Sequence, residues 1–262
     1  MFIHNPFAAL PAAISPAAMR IYAGVMFLLV VCGTLLDLAH KGSASYFFKH
    51  RRMASSGATR RVGAGEAAAL AAETLVVSVL AAGEFCNFWR RVTHLLTMYG
   101  FLLYVITTAI MVFAYPTAGV PGPALLPELW YLGAALVCVG GLWYWLLQRV
   151  DVVAEGHSRL HLVRADLFSL SLLASAALAL IWGRSETVGN GLWTNVFFGL
   201  YLFSNTVLFG SVPWSKFAHM FYKPAAALQR RIEEANGFRA NLPAPADRPA
   251  TFGSARRRPR HY

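Results

Sequence analysis

Cysteine is scarce in this chain, with three residues in 262 and no CxxC pair. Cys32 and Cys138 fall inside apolar stretches and Cys86 in a basic loop, so four thiolates cannot gather and an iron–sulfur centre held by this chain alone is excluded. Disulfides are not expected either, because the loop thiol lies in a segment that charge assigns to a reducing compartment. Acidic residues are few, 12 against 23 Lys and Arg, and charged residues of all kinds make up only 13% of the chain. No P-loop, GxGxxG or Ser/His/Asp pattern occurs, so the chain offers no catalytic constellation of its own.

What the chain has is long apolar runs. It is 57% hydrophobic, with a mean hydropathy of +0.49, outside the range of an ordinary soluble domain. Five stretches reach the about 20 helical residues that cross a hydrocarbon core, at 19–39, 92–115, 128–148, 162–183 and 192–212. A sixth, 66–83, carries Glu66 and Glu73 and is short for a span; it reads as an interfacial helix. The sequence therefore predicts an all-α integral membrane protein, a five-transmembrane-helix bundle with one interfacial helix. A segment 1–18 precedes the membrane domain 19–215. The basic loop and interfacial helix occupy 41–91, a juxtamembrane helix 216–235, and a Pro/Arg/Ala-rich tail expected to be disordered 236–262. The Ala/Pro-rich start lacks a basic n-region and does not read as a cleaved signal peptide.

Charge orients the bundle. Lys and Arg number one at the start of the first span (Arg20), eight from Lys41 to Arg91, none in 116–127, three from Arg149 to Arg164 around the start of the fourth span, one after the fourth, and ten from Lys216 onward. By the positive-inside rule the N-terminus lies outside and the C-terminus is cytoplasmic, as in a multi-pass protein of a bacterial inner membrane. The net charge of +11 is thus a product of topology, and nucleic acid is not an expected partner. Trp89, Trp130, Trp143, Trp145, Trp182, Trp193 and Trp214 all fall near span ends, the pattern of an interfacial aromatic belt.

Histidine is the positive signal. His40, His94, His157, His161 and His219 share the cytoplasmic boundary zone of this topology. His94 opens the second span and His219 follows the fifth. These spans run antiparallel, so both imidazoles come to one leaflet, and a metal porphyrin can be gripped between them. Arg90, Arg91 and Lys216 lie three or four residues from these imidazoles, within reach of haem propionates, although they serve equally as positive-inside anchors. His157 and His161 are spaced as a metal pair would be, or simply open a basic helix. Asp37 and Asp166 sit near span ends, where snorkelling makes them cheap. Asn195, Asn205, Thr107, Thr108 and Glu186 suit either a quinone pocket or interhelical hydrogen bonds. Gly133, Ala134, Gly140 and Gly141, with 174–177, read as close-packing surfaces.

The run Pro213-Trp214-Ser215-Lys216-Phe217-Ala218-His219, with His94 and the following Tyr99-Gly100-Phe101-Leu102-Leu103, resembles the gamma subunit of respiratory nitrate reductase and its relatives. Among those are the cytochrome b domains of quinone-interacting and tricarballylate-utilising membrane oxidoreductases. The resemblance covers roughly residues 90–232. It implies two stacked b haems, with a second histidine ten residues after His94 and another 18 before His219; Tyr104 and Tyr201 stand at those places. It therefore implies that one haem b is kept, with His94 and His219 as axial ligands. Because no iron–sulfur segment is present, the chain is most similar to the membrane anchors of adenylylsulfate reductases. That similarity implies a cytoplasmic flavin and iron–sulfur oxidoreductase as partner, with electrons exchanged with membrane quinone beside lipid. His40, Tyr99 and Lys216 are the polar groups at the right depth for the quinone. A haem-free structural anchor is the competing expectation.

Overall fold

The computed structural model describes residues 4–10, 14–40, 42–85, 87–148, 156, 158, 161–164, 166–189, 191–214 and 219–238, without the side chains of Ser43 and His219. All regular structure among them is helical. Helices α1 (Pro16–His40), α4 (Phe88–Ala114), α5 (Leu125–Leu147), α6 (Asp166–Val188) and α7 (Gly191–Gly210) are long and apolar enough to cross a membrane. Shorter helices are α2 (Ser43–Ser56), α3 (Ala64–Glu73), which runs on as a π-helix over Thr74–Leu80, and α8 (His219–Asn236). Pro6–Ala8 forms a turn of 3-10 helix.

The chain divides into two compact units. The first takes in residues 1–37 and 92–218, and holds the five-helix bundle. In it α4 packs closely against α5, made possible by missing side chains. A Cβ on Gly133 would lie 2.7 Å from the Tyr104 nitrogen, and one on Gly140 would lie 2.9 Å from the Thr93 carbonyl. The two backbones thus touch along a small-residue stripe, as membrane helices do where apolar burial gives no drive. Ala134 and Ala176 are fully buried, while Ala174 faces outward. On α1, Gly33 admits Val212, whose Cβ would come 2.9 Å from an added Cβ. The Tyr22 hydroxyl donates to the Leu202 carbonyl at 3.0 Å, tying α1 to α7. Gly189, at φ +73°, ends α6 in the left-handed conformation that lets α7 start at once.

Several sequence expectations shift here. The fourth span was expected at 162–183, but α6 starts at Asp166 and runs to Val188. Asp166, the first residue of α6, accepts the amide of Val163 in the preceding turn at 2.8 Å and is 7% exposed, so it is held at the helix start rather than snorkelling. At the far end Arg184 donates to Thr187 at 2.6 Å, and the polar last turn stays helical. Asp37 is also buried, at 2% exposure. The tryptophan pattern divides. Trp89, Trp193 and Trp214 are exposed as a belt requires, but Trp130 and Trp182 are fully buried and Trp145 nearly so. Depth along a span was readable from the sequence; the face it occupies was not.

The second unit takes in residues 38–91 and 219–262 and contains α2, α3 with its π-helix, and α8. The sequence left 41–65 as a basic loop; Ser43–Ser56 is a helix, ended by Gly57, whose amide bonds the Met53 carbonyl. Polar contacts stitch this unit together. His50 Nδ1 lies 3.2 Å from the buried Glu233 carboxylate, which also accepts from Gln229 at 2.8 Å. Asn236 donates to the Ala54 carbonyl at 3.3 Å, and its own carbonyl accepts from Thr59. Arg231 pairs with Glu73 and reaches Ser78. Residues 236–238, assigned to the tail by sequence, belong to this fold: Phe238 lies against Gly57 and edge-on to His50.

Candidate functional site

Polar side chains inside apolar helices must find partners within the bundle, because lipid offers none. They do so where α4, α5, α6 and α7 meet. Thr107 and Thr108 bond back to their own helix, at the carbonyls of Leu103 and Tyr104. Thr108 also accepts the Trp130 indole N–H at 2.8 Å. Tyr104 and Ser175 hydroxyls are 3.2 Å apart, Ser175 donates to Asn205 Oδ1 at 3.1 Å, and Asn205 donates to the Tyr201 carbonyl at 2.8 Å. Tyr104 is thus linked through Ser175 and Asn205 to the backbone at Tyr201. Aromatic rings close around them. Trp182 stacks on Tyr201 at 5.4 Å, and Trp130 lies 5.7 Å from Tyr104. Phe7 reaches in from the N-terminal turn, 5.2 Å from Trp182 and 5.7 Å from Trp130.

This cluster bears on two sequence readings. Of the groups that suited either a quinone pocket or packing, Asn205 and Thr108 bond between helices, Thr107 bonds within its own, and Asn195 is exposed. Tyr104 and Tyr201, at the positions where the resemblance implies histidine, are buried, at 2% and 4% exposure, and belong to one hydrogen-bonded chain through Ser175 and Asn205. The groups are neutral hydroxyls, amides and indoles, so their work is to hold four helices in one register.

His94 sits toward the start of α4. The α4 residues that face α5 are Thr93, Thr97 and Gly100, with Thr93 donating to the buried Gln148 at 2.8 Å. His94 is half-buried beside this line, on a stripe that continues at seven-residue spacing through the buried Phe101 to Thr108. That stripe leads into the polar cluster. Its imidazole is therefore placed on an inward side of the helix, the position a haem ligand of a bundle requires. Tyr99, by contrast, is 43% exposed. Five residues of helix turn it roughly 140° away from His94.

His40 is exposed at the last residue of α1, and Arg90 is half-buried four residues before His94. Arg91 directs Nε to the Ala81 carbonyl at 2.7 Å, at the end of the π-helix, so part of its donor set serves the fold. His40, Arg90, Arg91 and the first residue of α8 belong to the second unit, and His94 and Tyr99 to the bundle. Lys216, His157 and the His219 side chain lie outside the described residues. His161 is exposed. An open cleft of about 210 Å³ lies at the other end of α4 from His94, lined by His4, Asn5, Tyr115, Thr117 and the prolines of the 116–127 loop.

No family model matches the chain, and no solved structure matches it. It is similar to citrate utilization protein B of Escherichia coli, at 29% identity over 176 residues. Those residues are 61% of this chain and 44% of that protein, so the chain spans less than half of the relative's length.

Proposed function

We propose that this chain is the membrane anchor and electron-transfer subunit, a b-type cytochrome, of an oxidoreductase complex in a bacterial inner membrane, with its basic segments on the cytoplasmic side. The observation that carries the reading is the half-buried His94 on an inward stripe of a membrane-length helix, taken with the Pro-x-Ser-Lys-x-x-His run that ends at His219. His94 and His219 would hold one haem b, and Arg90, Arg91 and Lys216 would meet its propionates. A bound haem b supplies a one-electron relay between a cytoplasmic partner and membrane quinone. The chain's own residues contribute ligation, charge compensation and a dry setting. His40, Lys216 and Tyr99 are the candidate quinone contacts.

A single haem is favoured by the treatment of Tyr104 and Tyr201. Tyr104, bonded to Ser175, and Tyr201, stacked on Trp182, lie with the fully buried Trp130 in a packed core where the resemblance would put a second ligand pair. The partner that the resemblance favours is a flavin and iron–sulfur enzyme of the adenylylsulfate reductase kind. A second partner is favoured by the similarity to citrate utilization protein B. Citrate and tricarballylate are both tricarboxylates, which points to the tricarballylate-type branch of the same resemblance.

The test is a reduced-minus-oxidised spectrum of the purified full chain. A b-type alpha band at one haem per chain is expected, and His94→Ala and His219→Ala should each abolish it. A colourless protein after expression with ample haem leaves only a structural anchor. Copurification of the native complex, with the partner identified by mass spectrometry, decides between the two partner types.

A further inference from the structure

Helix α2 presents two faces of different character. Its inner face is spent on the second unit, where His50 meets Glu233 and the fully buried Ala54 receives Asn236. The outer face carries Lys49, Arg51 and Arg52, all exposed, interleaved with Tyr46 at 69%, Phe48 at 56% and Met53 at 47% exposure. No acidic residue occurs between Lys41 and Glu66. Three other arginines of this unit are matched: Arg60 with Glu66, Arg230 with Glu234, Arg231 with Glu73. The three cations of α2 make no ion pair with any described residue.

Chain connectivity fixes where this face starts. Two residues separate the end of α1 at His40 from the start of α2 at Ser43. Such a link reaches only about 10 Å. If α1 crosses the membrane, α2 must begin at the membrane edge. A helix there, with cations and aromatic residues interleaved on one face, has the make-up of an interfacial helix. Its cations without internal partners select for negative charge.

We propose that the outer face of α2 seats in the headgroup layer of an anionic leaflet, with Lys49, Arg51 and Arg52 on lipid phosphates and Phe48 inserted below them. The cations of 41–91 also lie on the side where a cytoplasmic partner would dock. This face is instead given to lipid, and the assignment depends only on α1 being a span, not on the haem.

The experiment uses the full chain in nanodiscs of phosphatidylcholine with or without phosphatidylglycerol, carrying a spin label at Phe48→Cys in a background where Cys32, Cys86 and Cys138 are replaced by serine. Oxygen should reach the label more readily than a water-soluble nickel chelate, and the contrast should grow with phosphatidylglycerol. In parallel, short-chain phosphatidylglycerol is titrated into the detergent-solubilised protein and bound lipid counted by native mass spectrometry. Lys49→Gln, Arg51→Gln and Arg52→Gln should each weaken binding about fivefold, and together on the order of a hundredfold. A label equally open to the nickel chelate in both nanodiscs overturns the proposal, as does a triple variant with unchanged lipid affinity. So does a label that becomes shielded only when soluble partner subunits are added, since the face would then belong to a protein.

Discussion

Replacing Gly140 with alanine should loosen the bundle, whereas the same change one residue later should not. A Cβ at Gly140 would lie 2.5 Å from Thr97 Oγ1 and 2.9 Å from both the Thr93 carbonyl and the Thr97 nitrogen. Two of those three atoms are backbone, so no rotamer change relieves them. Bringing the 2.9 Å contacts to an ordinary 3.4 Å separates α4 from α5 by about 0.5 Å. Overpacking of this kind costs about 1–3 kcal/mol. The same shift stretches the buried Thr93–Gln148 hydrogen bond from 2.8 Å, and its loss adds about 1 kcal/mol. At Gly141 the nearest atom is the Leu173 Cδ1 at 3.3 Å, a side-chain tip that can move. There the higher helix propensity of alanine, worth up to about 1 kcal/mol, should balance the contact. The assay is thermal unfolding of both variants in one detergent. Gly140→Ala should lower Tm by roughly 5 °C or more, with Gly141→Ala within about 2 °C of the parent. If Gly140→Ala melts no lower than Gly141→Ala, the backbone-on-backbone contact between α4 and α5 is wrong. Because Thr93 adjoins His94, the first variant should also shift any haem spectrum, and the second should leave it alone.

Other outcomes test other contacts. Asn205→Leu removes the acceptor of Ser175 and the donor to the Tyr201 carbonyl, and should cost about 2–3 kcal/mol in a denaturant titration; a neutral result means the cluster is not closed as described. Glu233→Leu leaves His50 and Gln229 without their shared buried acceptor, and should raise the rate of limited proteolysis between 57 and 63, with unchanged cleavage counting against the second unit's stitching. The hydrogen bonds from Arg60, at 2.9 Å and 2.5 Å, hold the Glu66 carboxyl below its ordinary range. The pair therefore contributes at neutral pH and is lost only as pH falls through that lowered value; Arg60→Gln should move the Glu66 NMR titration upward, and an unmoved midpoint would refute the pairing.

The five spans were legible because a run of apolar residues is itself the signal, and their ends agree with the structure to within a few residues apart from α6. Burial of one face was less legible. Trp130, Trp182 and Asp37 were read by depth, as boundary residues, but the packing of α4 to α7 and of α1 turns them inward. Helix α2 escaped notice because its inner positions are Phe47, His50 and Ala54, too mixed for an apolar stripe; what folds it is Glu233 and Asn236, nearly two hundred residues away in sequence. Within the candidate site, His94 could be found from its place at the mouth of an apolar helix. That Tyr99 turns away from it was also present in the spacing, as five residues do not return to one face of a helix. Tyr104 and Tyr201 stood out only through the family resemblance, and no single-sequence signal announces that Ser175 and Asn205 link them.

The turn at Pro6–Ala8 has a consequence for how the protein is made. Phe7 is 4% exposed, held by Trp130, Trp182 and Tyr201, side chains contributed by α5, α6 and α7. Phe7 thus cannot reach its final surroundings until α7, which supplies Tyr201, has been synthesised. Asn5, whose amide donates to the Tyr115 carbonyl at 2.9 Å, latches the same turn over the end of α4. This plug closes late, after helices that would otherwise assemble in order, and a bulky fusion placed against it should stall maturation at its final step.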